Sequence, residues 1–192
     1  MRKLSAAIAV ALAGALAGPS QAAIMKWDAI LSGSQEIPAN ASTATGSGWV
    51  QFDDATNELS LSVQWDGLTG PAVQAHIHCC VTVPPGNVAI AIDLWLPGDP
   101  RPATGLYEAN YYLDLENPFR ASFVDGGTVF SAMQALIAAM DAGGGRAYFN
   151  IHTAEFPPGE IRGNLAVPEP ATLPLLIGGL GLVWAGRRFA RS

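Results

Sequence analysis

His76 and His78 stand two residues apart in the stretch AHIHCC (residues 75–80), and the third histidine, His152, lies far downstream in NIHT (residues 150–153). In an extended strand side chains alternate between faces, so His76, His78 and Cys80 point one way and Ile77 and Cys79 the other. If the strand carrying His152 runs alongside, three imidazoles converge. Imidazole suits both zinc and copper, and His-x-His is a workable pair on one strand face, with Cys80 or Glu155 to complete the set. The same residues have a structural use. Rings hydrogen-bonded to the backbone, to carboxylates, to Asn150 and to Thr153 would clamp two segments together without an ion. His-x-His alone is a weak signature, so the spacing favours the clamp, with His76, His78 and His152 as the metal ligands of the alternative. Three histidines are too few for a dinuclear copper–zinc centre.

Cys79 and Cys80 are adjacent. Successive Cα atoms sit about 3.8 Å apart, whereas disulfides usually need about 4.4–6.8 Å. A vicinal bond therefore requires a distorted turn, and in a continuous strand the two side chains diverge. A vicinal disulfide, two buried thiols and an intermolecular link stay open, in that order. No Cys-x-x-Cys is present, which argues against thiol oxidoreductase chemistry. Among the carboxylates, Asp53 and Asp54 fall in a turn-like stretch. Glu155 and Glu160 flank Phe156 to Gly159, but such spacing arises by chance, and Glu160 is expected to pair with Arg162 on a strand face. No nucleophile elbow, phosphate loop or dinucleotide fingerprint appears. The residues specify no catalytic set, so the chain reads as a non-enzyme with no resident cofactor beyond the zinc or copper of the alternative.

Both ends differ from the middle. Met1-Arg2-Lys3 precedes an apolar run from Leu4 to Ala17, and Ser20 and Ala22 make a small-x-small exit. That order is a secretory signal peptide, residues 1–22. At the other end Pro168, Glu169 and Pro170 precede the apolar stretch ATLPLLIGGLGLVWAG, with Arg187, Arg188 and Arg191 at the tip. The apolar part is short for a span of about 20 residues, but its flanking arginines fit a cytoplasmic end. Residues 23–166 remain as one domain. The chain carries a net charge of −6 over 192 residues. Between Ala23 and Pro170 only Lys26, Arg101, Arg120, Arg146 and Arg162 are basic. Nucleic acid, which demands a basic face, is excluded as a partner.

The elements that must position the histidines are mostly strands. In ELSLSVQW, Leu59, Leu61, Val63 and Trp65 alternate with polar residues. With SGWVQF before it and a turn at residues 53–57, this reads as a hairpin. KWDAILSG, VQAHIHCC, NVAIAIDLW, RAYFNIHT and GEIRGNL supply further short strands, while the prolines of LPGDPRPATG make a loop. One segment has helical period: Phe130, Met133, Ile137 and Met140 form a stripe, with Thr128 or Asp125 to cap its start and Gly143 its end. The expectation is a mainly β domain, an antiparallel sandwich or barrel-like sheet with one packed α-helix. A signal peptide precedes it and a C-terminal transmembrane sorting helix follows.

Two resemblances add to this. LSGSQEIP (31–38), GLTGPAVQAHIH (67–78) and RAYFNIHTAEFPPGEIRGNL (146–165) together resemble the CHRD (chordin-type) domain over residues 23–166. That likeness implies a β-sheet domain with a binding or structural role and no enzymatic activity. Where the family usually follows His-Ile-His with a glycine-rich loop, this chain has Cys79, Cys80 and then VTVPPG. Residues 167–192, with Pro168-Glu169-Pro170, an apolar helix and the cluster Arg187, Arg188 and Arg191, resemble the PEP-CTERM sorting signal of Gram-negative bacteria. This implies that an exosortase is a partner and that the tail engages the inner membrane during sorting. It implies a final place at the cell surface or outside the cell, in the exopolysaccharide of a biofilm matrix. An exported domain that binds or scaffolds exopolysaccharide or matrix proteins is the leading functional expectation, and Trp95, Tyr107, Tyr111 and Tyr112 are its candidate stacking surfaces.

Overall fold

A computed structural model describes residues 23–95 and 98–168. The signal peptide, the apolar tail and the sorting residues Glu169, Pro170, Arg187, Arg188 and Arg191 lie outside the described residues; Pro168 is exposed at their end. Among the described residues no helix is long and apolar enough to cross a membrane.

Eight strands form one antiparallel sheet. They are β1 Ile24–Ser32, β2 Thr45–Asp53, β3 Glu58–Asp66, β4 Ala72–Cys79, β5 Ile90–Trp95, β6 Gly105–Tyr112, β7 Ala147–Thr153 and β8 Ile161–Asn164. Two helices, α1 Ala121–Val124 and α2 Val129–Ala142, lie between β6 and β7, and a 3-10 turn spans Gly33–Gln35. The strand order is β5-β4-β7-β8-β1-β2-β3-β6. The expected hairpin is β2–β3, and alternation works as anticipated: Leu59, Leu61, Val63 and Trp65 are all buried.

The sheet curls into a nearly closed, barrel-like layer pair. Its two halves are joined along β1, where Ser32 lies opposite Arg162 of β8 and Asp28 exchanges two backbone hydrogen bonds with Ala166 just beyond β8. Across the core the halves approach closely. A Cβ on Gly48 of β2 would sit 2.9 Å from the Phe149 ring and 2.8 Å from the Ser62 carbonyl, so only glycine fits there. The free edges β5 and β6 meet through side chains: the Trp95 ring centroid lies 5.6 Å from that of Tyr107 on β6, and 5.2 Å from that of Trp65 on neighbouring β3.

Helix α2 begins with a capping box, in which Thr128 accepts from the Ser131 N–H and Ser131 accepts from the Thr128 N–H. It buries Ala132, Met133, Leu136, Ile137, Ala139 and Met140 against the core, and Asp141 near its end accepts a 2.8 Å bond from the Trp27 indole. Two expectations change here. Phe130 is 40% exposed, because it falls in the first turn, before the helix reaches the sheet. Strand β6 and the short helix α1 were not anticipated.

Candidate metal centre

On β4 the residues Ala75, Ile77 and Cys79 fill the core, so Gln74, His76 and His78 face away from it. On β7 the same alternation sends Tyr148, Asn150 and His152 outward. Strands β4 and β7 are neighbours, with Gln74 opposite His152 and His76 opposite Asn150. His76 and His152 are thus diagonal partners on one sheet face, within reach of each other. Loops cover the face, leaving His76 2% exposed.

The imidazoles converge. His76 Nδ1 lies 3.1 Å from His152 Nε2. The His78 ring stands edge-on to His76, with centroids 5.5 Å apart and an interplanar angle of 87°. One ring nitrogen from each of the three residues lies within 4.8 Å of the other two. In a tetrahedral zinc site with Zn–N near 2.0–2.1 Å, ligand nitrogens are about 3.3 Å apart. The His76–His152 pair already has that spacing.

The far-side nitrogens of two of the rings are bonded to main-chain carbonyls. His78 Nδ1 donates to the Val88 carbonyl at 2.7 Å, and His152 Nδ1 donates to the Pro157 carbonyl at 2.8 Å. A carbonyl only accepts, so both Nδ1 atoms carry hydrogen and both Nε2 atoms present lone pairs in the neutral rings. His76 Nε2 faces Asp93 Oδ1 at 3.5 Å. If His76 carries its proton on Nδ1, its Nε2 lone pair opposes a carboxylate. With the proton on Nε2, Asp93 is answered, and the Nδ1 lone pair opposes the lone pair of His152. A metal ion between the rings satisfies that second arrangement. The Nε2 atoms of His76 and His78 are buried without a hydrogen-bond partner.

Burial holds all three rings neutral. It lowers His76 to about 3, helped by the neighbouring His152 and His78, and lowers His78 to about 4. His152 is also lowered, by burial first, with its bond to Pro157 opposing. Neutral imidazole is the ligating form.

The surroundings fix the rings. Asp93 on β5 takes two bonds from Arg120, at 2.6 Å from Nε and 2.7 Å from Nη2. The His78 ring stacks on Tyr148, with centroids 4.8 Å apart and planes within 6°. The Arg162 guanidinium lies 3.4 Å from the centroid of that same Tyr148 ring. Arg162, only 1% exposed, donates to Asn87 Oδ1 and the Gly86 carbonyl. Asn150 donates to Glu36 at 2.7 Å, and burial raises the Glu36 carboxyl to about 7.

Several sequence-derived placements change. Cys80 does not join the histidines. Strand β4 ends at Cys79, so the alternation stops there; the two cysteines are bonded to each other, and Cys80 Sγ lies 3.5 Å from the Ala135 carbonyl of α2. Glu155 is exposed in the turn after β7 and outside the cluster. Glu160 does not pair with Arg162. It is fully buried at the end of the sheet, where it accepts from Ser42, Thr153 and twice from Thr69. Trp95 is buried, Tyr107 and Tyr111 are half-buried and packed against the core, and only Tyr112, at 47% exposure, faces solvent. Sequence reasoning missed Asp93 and Arg120; the signal was a lone carboxylate in the apolar run NVAIAIDLW.

A curled antiparallel β domain with three inter-strand histidines on one face is thus the class that fold and site define. The CHRD domain model matches residues 27–165, and the chain belongs to the CHRD domain family. No curated protein and no solved structure matches the chain.

Proposed function

We propose that this protein is an exported CHRD domain that binds one zinc or copper ion through His76, His78 and His152. The observation that carries the reading is the lone-pair geometry. Two ring nitrogens face each other at 3.1 Å, Nδ1 of His78 and of His152 each donate to a main-chain carbonyl, and His76 Nε2 faces Asp93 Oδ1 at 3.5 Å. Outer acceptors that fix the tautomer are what ligating histidines require. A clamp of hydrogen bonds alone leaves one unfavourable contact in either His76 tautomer. Three imidazoles fill three tetrahedral positions, and the fourth is open to water or an exported ligand.

The setting of this site is the one the chain's ends imply. Residues 1–22 export the chain, and Pro168, Glu169, Pro170 and the arginines of the tail present it to an exosortase in the inner membrane. The mature domain then works at the cell surface or in the exopolysaccharide matrix, binding rather than catalysing. Titration of the chelator-treated full chain with zinc and with copper(II) tests the metal reading. One ion per chain is expected, with binding lost in His152→Ala at unchanged circular dichroism. Equal uptake by wild type and variant overturns the assignment. Cell fractionation tests the setting: intact, uncleaved chain in the cytosol contradicts it.

A further inference from the structure

The other half of the sheet carries a furrow on its outer face. On β1, β2, β3 and β6 the inward positions fill the core, and the outward ones include Ser47 and Trp49, Ser62 and Gln64, Leu106 and Glu108. Three hollows lie along this face and share walls. The first, enclosing about 580 Å³ beside Asp66 and Thr104, shares Ser47, Gln64 and Leu106 with the second. The second shares Trp49 and Glu108 with the third, which ends at Asn110. They are one furrow following β6 from Thr104 to Asn110, a length of about 20 Å at about 3.3 Å per residue.

The lining has a definite chemistry. Its charged members are all acidic: Asp28, Asp66 and Glu108. Among the described residues no basic side chain lines it. The nearest ammonium, Lys26, is 3.3 Å from Asp28 and 5.7 Å from the centroid of the half-buried Trp49 ring. Hydroxyl and amide groups at strand spacing supply the rest. Gln64 donates to Ser47 at 2.8 Å, Thr104 to Asp66 at 2.7 Å and Ser62 to Glu108 at 3.4 Å. Each carboxylate keeps acceptor capacity beyond these bonds. A matching occupant offers a flat apolar face to Trp49 and Leu106, closely spaced hydroxyls to the amides and alcohols, and cationic donors to Asp66 and Glu108, the two acids that Lys26 leaves unpaired.

We propose that this furrow binds a linear polysaccharide bearing free amino groups. A pyranose ring presents an apolar face and a rim of hydroxyls together, and protonated amines along the polymer match the carboxylates. The inference goes beyond the metal reading and rests only on its exported, matrix-facing part. It places the polymer on the face opposite to the core from β2 and β3, not on Trp95, Tyr107 or Tyr111, which point inward.

Calorimetry with the purified full chain tests it, using a short β-1,4-linked glucosamine oligomer, its fully N-acetylated counterpart and oligolysine. Saturable binding to the amino oligomer is expected, weakened roughly tenfold by Trp49→Ala and also by the conservative Glu108→Gln, and unchanged by His152→Ala. Tighter binding of the N-acetylated oligomer or of oligolysine overturns the proposal, as does binding by both furrow variants as tight as that of wild type. The insensitivity to His152→Ala separates this outcome from the metal reading, and cell fractionation separates it from export.

Discussion

Replacing Asp93 by asparagine tests how the cluster is prepared for an ion. His78 and His152 are oriented by main-chain carbonyls, which no substitution removes. Asp93 is the side chain that orients a ring, with Oδ1 3.5 Å from His76 Nε2 and both oxygens bonded by Arg120. Asparagine keeps one oxygen. Arg120 offers only donors, so that oxygen turns to the guanidinium and the amide NH2 turns to His76. His76 then accepts at Nε2 and carries its hydrogen on Nδ1, where a ligand lone pair is needed. Loss of such an outer partner costs about 10- to 100-fold in metal affinity, or about 1.4–2.7 kcal/mol. Competition with a chromophoric chelator measures this on chelator-treated protein, with circular dichroism as the check on folding. A folded Asp93→Asn chain that holds zinc or copper as tightly as wild type would refute the tautomer reasoning.

Glu36→Gln isolates one buried acid. Burial raises that carboxyl from 4.5 to about 7, so between those values the unfolded chain releases its proton and the native state keeps it. Native stability is lost as pH rises through that window, by about 3 kcal/mol in total. The stability of the variant relative to wild type should climb by up to that amount from about pH 4 to about pH 8, and a pH-independent difference in urea unfolding contradicts it. Glu160→Gln puts an NH2 where Thr69 and Thr153 hydroxyls now donate, reversing two charge-assisted bonds; the expected loss is about 3 kcal/mol at neutral pH. Burial pushes Glu160 up, but its bonds from Thr153, Ser42 and Thr69 outweigh this and hold it low. The gap between wild type and Glu160→Gln should therefore narrow as acid protonates the native carboxylate, and a gap under about 1 kcal/mol at neutral pH counts against the network. Leu136→Ala empties a fully buried position under the sheet and should cost about 2–5 kcal/mol in denaturant unfolding with an unchanged m-value.

The elements were legible where burial is one-sided. Leu59 to Trp65 alternates because only one face of β3 meets the core, and α2 shows its stripe because one side packs. Strand β6 carries the same signal in Tyr107, Ala109 and Tyr111, but half-buried aromatics also read as surface stacking residues, and that reading hid the strand. The histidine cluster was legible only conditionally. His-x-His gives two ligands on one face, but the third depends on β7 lying next to β4 in a register that puts His152 diagonal to His76, and register is a tertiary property. Asp93 belongs to β5, on the other side of β4, and nothing local ties it to histidine. Cys80 was misplaced because alternation was extended one residue past the end of β4. Glu160 and Arg162, two apart on paper, are drawn to different partners, Ser42, Thr69 and Thr153 for the acid and Gly86 and Asn87 for the guanidinium.

X-ray absorption at the metal edge of the loaded, full-length protein bears most directly on the three-histidine assignment. The assignment predicts one ion per chain with imidazole nitrogens at about 2.0–2.1 Å, and loss of the imidazole signature in His76→Ala. A shell of oxygens alone, or a sulfur scatterer from Cys79 or Cys80, would contradict it.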